Sequence, residues 1–152
     1  MMKIIIGSDH AGFKLKSKIS ALLKKKGFSV KDAGTYSEAS CDYPVYAYAV
    51  AREVSKGKFK RGILICKSGI GNSIVANKLK RVRAALCYNV KAARLSRRHN
   101  DANILILGAG FIKSDTAKKM VSAWLDTKFE GGRHKRRVNL IKKIEKELRG
   151  SR

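Results

Sequence analysis

The 152-residue chain has one proline, one tryptophan and three cysteines, and aromatic residues make up only 7% of it. Cys41, Cys66 and Cys87 are an odd number at irregular spacing, so they suggest no disulfide framework, and no CxxC pair offers a zinc site. No apolar run approaches the ~20 residues that a membrane span needs. The opening Met1-Met2-Lys3-Ile4-Ile5-Ile6-Gly7 is shorter than a signal peptide and runs straight into a strand-like pattern, so the sequence reads as that of a cytosolic protein. Acidic residues are the sharpest shortage: 11 Asp plus Glu face 35 Lys plus Arg, a net charge of +24. Such a field draws polyanions. The basic residues are spread along the chain without an aromatic-interleaved stripe. Nucleic acid is therefore expected only as a non-specific partner, although a basic nucleic-acid-binding protein on the same fold is a reading to be tested.

What is present reads as a single domain over residues 1–152, with 44% apolar residues and no linker, repeat or low-complexity stretch. Short apolar runs alternate with helical periodicities. Ile4-Ile5-Ile6 ends at Gly7 as a buried strand would. Leu15, Ile19, Leu22 and Leu23 then share one helix face, closed by Lys24-Lys25-Lys26 and Gly27. Phe28 to Asp32 alternates like an edge strand, and Pro44 opens a helix that runs to about Lys56 and Gly57. Gly62 to Cys66 is a fully apolar strand, and Ile74 to Leu79 the body of a short helix. Arg83 to Tyr88 reads as a strand, Lys91 to Arg98 as a helix, and Asn103 to Leu107 as a buried strand. Ser114 is placed to cap a helix whose face is Ala117, Met120, Val121 and Trp124; a last helix follows from Gly132 to about Leu148. Five strands separated by helices imply a parallel sheet covered on both faces, with its site beyond the C-terminal strand ends where the strand order reverses.

The loops after those strands carry the chemistry-bearing residues. Gly7-Ser8-Asp9-His10-Ala11-Gly12 follows the first strand, where Asp9 and His10 are site candidates and Ser8 or Asp9 could equally cap the helix. Cys66-Lys67-Ser68-Gly69-Ile70-Gly71-Asn72-Ser73 follows the third. Its small residues let successive amides converge on an anion, yet it is neither a Walker A loop nor a dinucleotide GxGxxG. A thiolate at Cys66 could take a proton beside a carbonyl, helped by the helix dipole; alternatively Cys66 is a buried strand cysteine. Ser96-Arg97-Arg98-His99-Asn100-Asp101 reads as a polar connection into the last strand. There His99 and Asn100 could serve sugar oxygens, or Asn100 and Asp101 could make the turn. Arg133 and Arg137 lie i, i+4 at the start of the last helix, a spacing that suits a bound phosphate or a solvated basic face.

Taken together, Gly7 through Gly12, Asp42-Tyr43-Pro44, Ile63 through Gly71, Ala76-Asn77-Lys78, Leu95 through Asp101 and Glu130 through His134 resemble the type B ribose-5-phosphate isomerase family, close to the galactose-6-phosphate isomerase subunits. The resemblance covers nearly the whole chain. It implies a three-layer α/β/α Rossmann-like sandwich around a five-stranded parallel sheet of order 2-1-3-5-4. It also implies a homodimer, sometimes paired into a tetramer, with the C-terminal helix at the interface and shared active sites. The activity implied is aldose–ketose isomerisation of ribose 5-phosphate and ribulose 5-phosphate in the non-oxidative pentose phosphate pathway, without metal or cofactor. A hexose 6-phosphate such as galactose or allose 6-phosphate is the alternative substrate.

By the same resemblance Cys66 is the base and His99 helps open the sugar ring. Lys67, Ser68, Gly69, Ile70 and Gly71 cradle the enediolate oxygen. Asp9, His10, Tyr43 and Asn100 contact the sugar, and Arg133 and Arg137 clamp the phosphate near His10. His99 and Asn100 reach into the partner's site. Two positions depart from the family pattern. Lys67 stands where glycine is usual, which would strain a positive-φ backbone. Gly110 stands where members usually carry an arginine that can help bind phosphate.

Overall fold

The structure is a computed structural model and describes residues 1–150. The five strands are β1 (Lys3–Ser8), β2 (Ser29–Asp32), β3 (Arg61–Cys66), β4 (Ala84–Leu86) and β5 (Ile104–Gly108). They form one all-parallel sheet in the order β2-β1-β3-β5-β4. The helices are α1 (Phe13–Lys25), α2 (Tyr43–Ser55), α3 (Ile70–Ala76), α4 (Val90–Asn100), α5 (Ser114–Asp126) and α6 (Arg133–Gly150). Among the described residues no helix is long and apolar enough to cross a membrane.

The near-continuous apolar runs of the central strands follow from burial on both faces. Successive side chains point to opposite sides, so Ile4, Ile6, Ile63, Ile65, Leu105 and Leu107 pack under α1, α4 and α5, around Trp124. Ile5, Leu64, Ile104 and Ile106 pack on the other face beneath Ala47, Val50, Ala51 and Val54 of α2. The short edge strands β2 and β4 are only half-buried.

Several element limits differ from the sequence reading, each for a local reason. Helix α3 starts at Ile70 rather than near Ile74, because the left-handed Gly69 (φ 82°) turns the chain directly out of β3. It stops at Ala76, where Asn77 bonds the backbone of Ala84 instead. Strand β4 is shorter than Arg83–Tyr88, since the Arg83 amide donates to the Asn103 side chain. Ser114 is the first residue of α5; Lys113 takes the cap position and no side chain caps that end. Helix α4 begins one residue early, capped by Asn89, and extends through His99 and Asn100, so these are helical residues rather than a connection. Asp101 closes the helix in the left-handed region (φ 48°).

Candidate active site

β1 and β3 lie side by side where the strand order reverses, and the loops beyond their C-terminal ends meet. The 3-10 turn His10–Gly12 after β1 is capped by Asp9, whose Oδ1 accepts the Gly12 N–H at 3.1 Å. The capping and site readings of Asp9 are thus compatible. Gly12 lies so close to β3 that a Cβ there would meet the Ile65 carbonyl oxygen at 2.6 Å. The Asp9 amide donates to that same carbonyl at 3.3 Å. Asp9 is buried and its charge faces the Cys66 thiol. His10 is half-buried; its Nδ1 accepts the Cys41 amide at 3.2 Å, so a neutral His10 carries its proton on Nε2. Cys41 had no role in the sequence reading, because nothing local marks a backbone donor 31 residues away.

Cys66 closes β3 and is 5% exposed. Its Sγ accepts the Gly69 N–H at 3.1 Å. Burial pushes its pKa up, and the Asp9 charge adds to this; hydrogen bonds from the Gly69, Asn72 and Ser68 amides oppose it. The helix-dipole lowering expected from the sequence is therefore outweighed by desolvation. The Ser68 hydroxyl accepts the Ile70 N–H at 3.2 Å, which leaves its own proton available. The amides of Ser68 and Gly71 donate to no backbone acceptor among the described residues. Tyr43, first residue of α2, lies across this turn, its ring filling the space that a Cβ at Gly71 would need. The strain expected at Lys67 is absent: the positive φ falls on Gly69 and Lys67 has none. This edge therefore gathers Asp9, His10, Tyr43, Cys66, Lys67, Ser68, Gly69, Ile70 and Gly71.

His99, Asn100, Arg133 and Arg137 form a second group elsewhere. α4 leaves the C-terminal end of β4 and returns to the start of β5, so its last turn lies at the opposite edge of the sheet. The five residues of β5 alone separate the two edges by roughly 16 Å. The Glu130 amide donates to the Arg98 carbonyl at 3.0 Å and brings the start of α6 against α4. There His99 stacks on His134, ring centroids 4.1 Å apart and planes within 9°. Among the described residues no hydrogen bond, ion pair or ring contact joins the two groups. Within one chain His10 is thus remote from the arginine pair.

The sequence reading missed His134 and Glu130, although their i, i+4 spacing was legible. His134 is 5% exposed and its Nε2 has no hydrogen-bond partner. Burial lowers its pKa, as do the His99, Arg133 and Arg137 charges, while Glu130 opposes them. Ligand atoms of His99, Glu130 and His134 lie within 4.8 Å of one another, a grouping that no sequence pattern disclosed. The donor types suit a divalent metal ion such as zinc, whose tetrahedral edges measure only about 3.3 Å. The three would have to close further to share one.

Beside this edge, α6 and β4 enclose a groove of about 630 Å³ lined by Val82, Ala84, Asn100, Ile141, Ile144 and Leu148. Leu140, Ile141, Ile144 and Leu148 are all at least 48% exposed.

A model of the Ribose/Galactose Isomerase family matches residues 4–141. The chain is 48% identical over 145 residues to ribose-5-phosphate isomerase B of Escherichia coli, covering 95% of this chain and 97% of that one. The fold is similar to the structure of Clostridium thermocellum ribose-5-phosphate isomerase B, with a TM-score of 0.94, 50% identity and coverage of 97% and 99%. It is also similar to the Mycoplasma genitalium ribose-5-phosphate isomerase B structure with bound ribulose 5-phosphate, with a TM-score of 0.92, 45% identity and coverage of 96% and 97%.

Proposed function

The chain belongs to the ribose/galactose isomerase family, and on that footing we propose that it interconverts ribose 5-phosphate and ribulose 5-phosphate with the Cys66 thiolate as base. The observation that carries this reading is the turn after β3: a sulfur at the strand end, the Gly69 N–H donating to it at 3.1 Å, and a Gly71 amide with no backbone acceptor among the described residues. The thiolate takes the proton from C2 of the open-chain aldose as electrons move onto the C1 carbonyl oxygen. That oxygen becomes negative in the cis-enediolate, where the Ser68 hydroxyl and the Gly71 amide meet it. The thiol then returns its proton to C1 while the O2 proton passes to O1, which leaves a hydroxyl at C1 and the carbonyl at C2. Each fixed donor of this kind contributes about 3 kcal/mol to the transition state. Asp9, His10 and Tyr43 line the sugar from the same protomer.

Ring opening needs a proton carrier, and His99 is the imidazole assigned to it. His99 and Cys66 lie at opposite sheet edges, so one site can hold both only between two copies. The partner subunit's His99, Asn100, Arg133 and Arg137 then complete the site. The open apolar face of α6 supplies the contact, and its exposed leucine and isoleucine side chains favour burial against a second copy. Cytoplasm is the location this reading assigns; all three cysteines are free thiols, as a reducing compartment keeps them.

The test is a coupled assay with ribose 5-phosphate, run beside galactose 6-phosphate and allose 6-phosphate. Pentose turnover is expected from the wild type and none from folded Cys66→Ala. Turnover retained by Cys66→Ala removes the thiolate from the base role; exclusive hexose turnover moves the substrate to six carbons.

A further inference from the structure

The loop after β3 carries a charge that the mechanism above leaves without a task. Lys67 follows Cys66 directly, is exposed, and pairs with no carboxylate among the described residues. Its stem is nevertheless placed. A Cβ at Gly110 would stand 3.0 Å from Lys67 Cγ and 3.5 Å from its Cε, so the lysine occupies the room that a side chain at 110 would take. Backbone bonds hold the two turns together: the Gly110 N–H donates to the Lys67 carbonyl at 2.8 Å, and the Ala109 N–H to the Cys66 carbonyl at 2.8 Å. Gly108 fits equally tightly, since a Cβ there would meet the Ser68 carbonyl oxygen at 2.6 Å. Gly110 thus leaves the Lys67 chain the room it occupies beside the turn after β5. The charge that acts on the neighbouring Cys66 thiol is Asp9.

We propose that Lys67 is a phosphate-binding residue: its ammonium, laid over Gly110, holds the anionic end of the substrate from the Cys66 side of the site. This rests on the sugar-phosphate reading above. A lysine here acts as a mobile point charge on a dianion rather than as a planar fork. The phosphate takes no part in the proton transfer, so the contact is equally strong in ground state and transition state. Its loss raises KM more than it lowers kcat. Because stem and position 110 share one space, a cation can be supplied from either place but not profitably from both.

The experiment is a four-corner comparison of wild type, Lys67→Gly, Gly110→Arg and the double variant, with Lys67→Met as the variant that keeps the stem and loses the charge. Steady-state kinetics on ribose 5-phosphate are expected to show KM about tenfold higher for Lys67→Met and Lys67→Gly, with kcat within about twofold. The inhibition constant of inorganic phosphate should weaken in parallel. The double variant should recover most of the lost affinity, while Gly110→Arg alone should gain little. An unchanged KM and phosphate inhibition in Lys67→Met overturns the proposal. So does a gain from Gly110→Arg that is the same with and without Lys67. If the wild type turns over no ribose 5-phosphate, the isomerase reading fails by itself. Calorimetric binding of inorganic phosphate to the same five proteins then decides the role of Lys67 independently.

Discussion

At the scale of single residues, the tension lies in Cys66, which must be a thiolate to serve as the proposed base and is placed where a thiolate is disfavoured. Burial raises its pKa, and the amides of Gly69, Asn72 and Ser68 recover part of the cost. At neutral pH the thiol form prevails in the free protein. Raising the pH from neutrality through the thiol's pKa should therefore increase kcat/KM, because each step increases the thiolate fraction. A pH–rate profile that is flat on the alkaline side would remove Cys66 ionisation from the rate. Cys87 provides a stability counterpart. Burial pushes its pKa up to about 11 from 9.0, so the folded protein favours the neutral thiol. That stabilisation is complete below pH 9 and is lost as pH rises through about 11. Chemical denaturation of wild type and Cys87→Ala between neutral pH and that range should show a shallower alkaline loss in the variant.

At the scale of elements, the C-terminal turn of α4 depends on one carboxylate. Asp101 Oδ1 accepts from Arg97 Nη1 at 2.8 Å and Oδ2 from Arg83 Nη2 at 3.2 Å. Arg97 is 4% exposed, so its charge has little water to fall back on. Arg61 lies nearby with its pKa lowered to about 10 by desolvation and by the Arg97 and Arg83 charges, which Asp101 counters. Asp101→Asn keeps the left-handed backbone, which asparagine tolerates, and removes the anion among three guanidinium groups. The expected cost is about 2 kcal/mol of unfolding free energy, read from a denaturant midpoint at unchanged slope. A midpoint that does not move would mean that solvent already screens the cluster. The same turn holds His99 and Asn100, so kcat should fall in this variant even where the protein is folded.

At the scale of the whole molecule, the parallel sheet separates Cys66 from His99 by its own length, and the proposed mechanism brings them together only between two copies. This makes a clear prediction for mixed subunits. Cys66→Ala and His99→Asn, each inactive or nearly so, should complement when their subunits are exchanged. A heterodimer carries one doubly damaged site and one intact site, and random exchange makes half of the dimers mixed. Activity should therefore return to about a quarter of wild type. No recovery after verified exchange would confine each site to one chain and sink the shared arrangement.

Much of this protein was already legible in its residues. The isoleucine runs of β1 and β3, the alternating helical periods and Gly27 identified a parallel α/β sandwich, because burial on both faces leaves apolar strands and one-sided helices. The Cys66 to Gly71 turn was marked as a candidate site by its small residues, which let the backbone turn sharply at Gly69 and approach Tyr43 closely at Gly71. The limits of α3 and α4 were not legible, since left-handed Gly69 and Asp101 act through backbone geometry that apolar spacing does not encode. The tertiary structure alone decided which distant residues meet: Cys41 with His10, His99 with His134, and the stem of Lys67 with the bare backbone of Gly110. Sequence records which chemical groups are available, but distance depends on strand order and on the direction of each crossover, and these belong to the packed sheet as a whole.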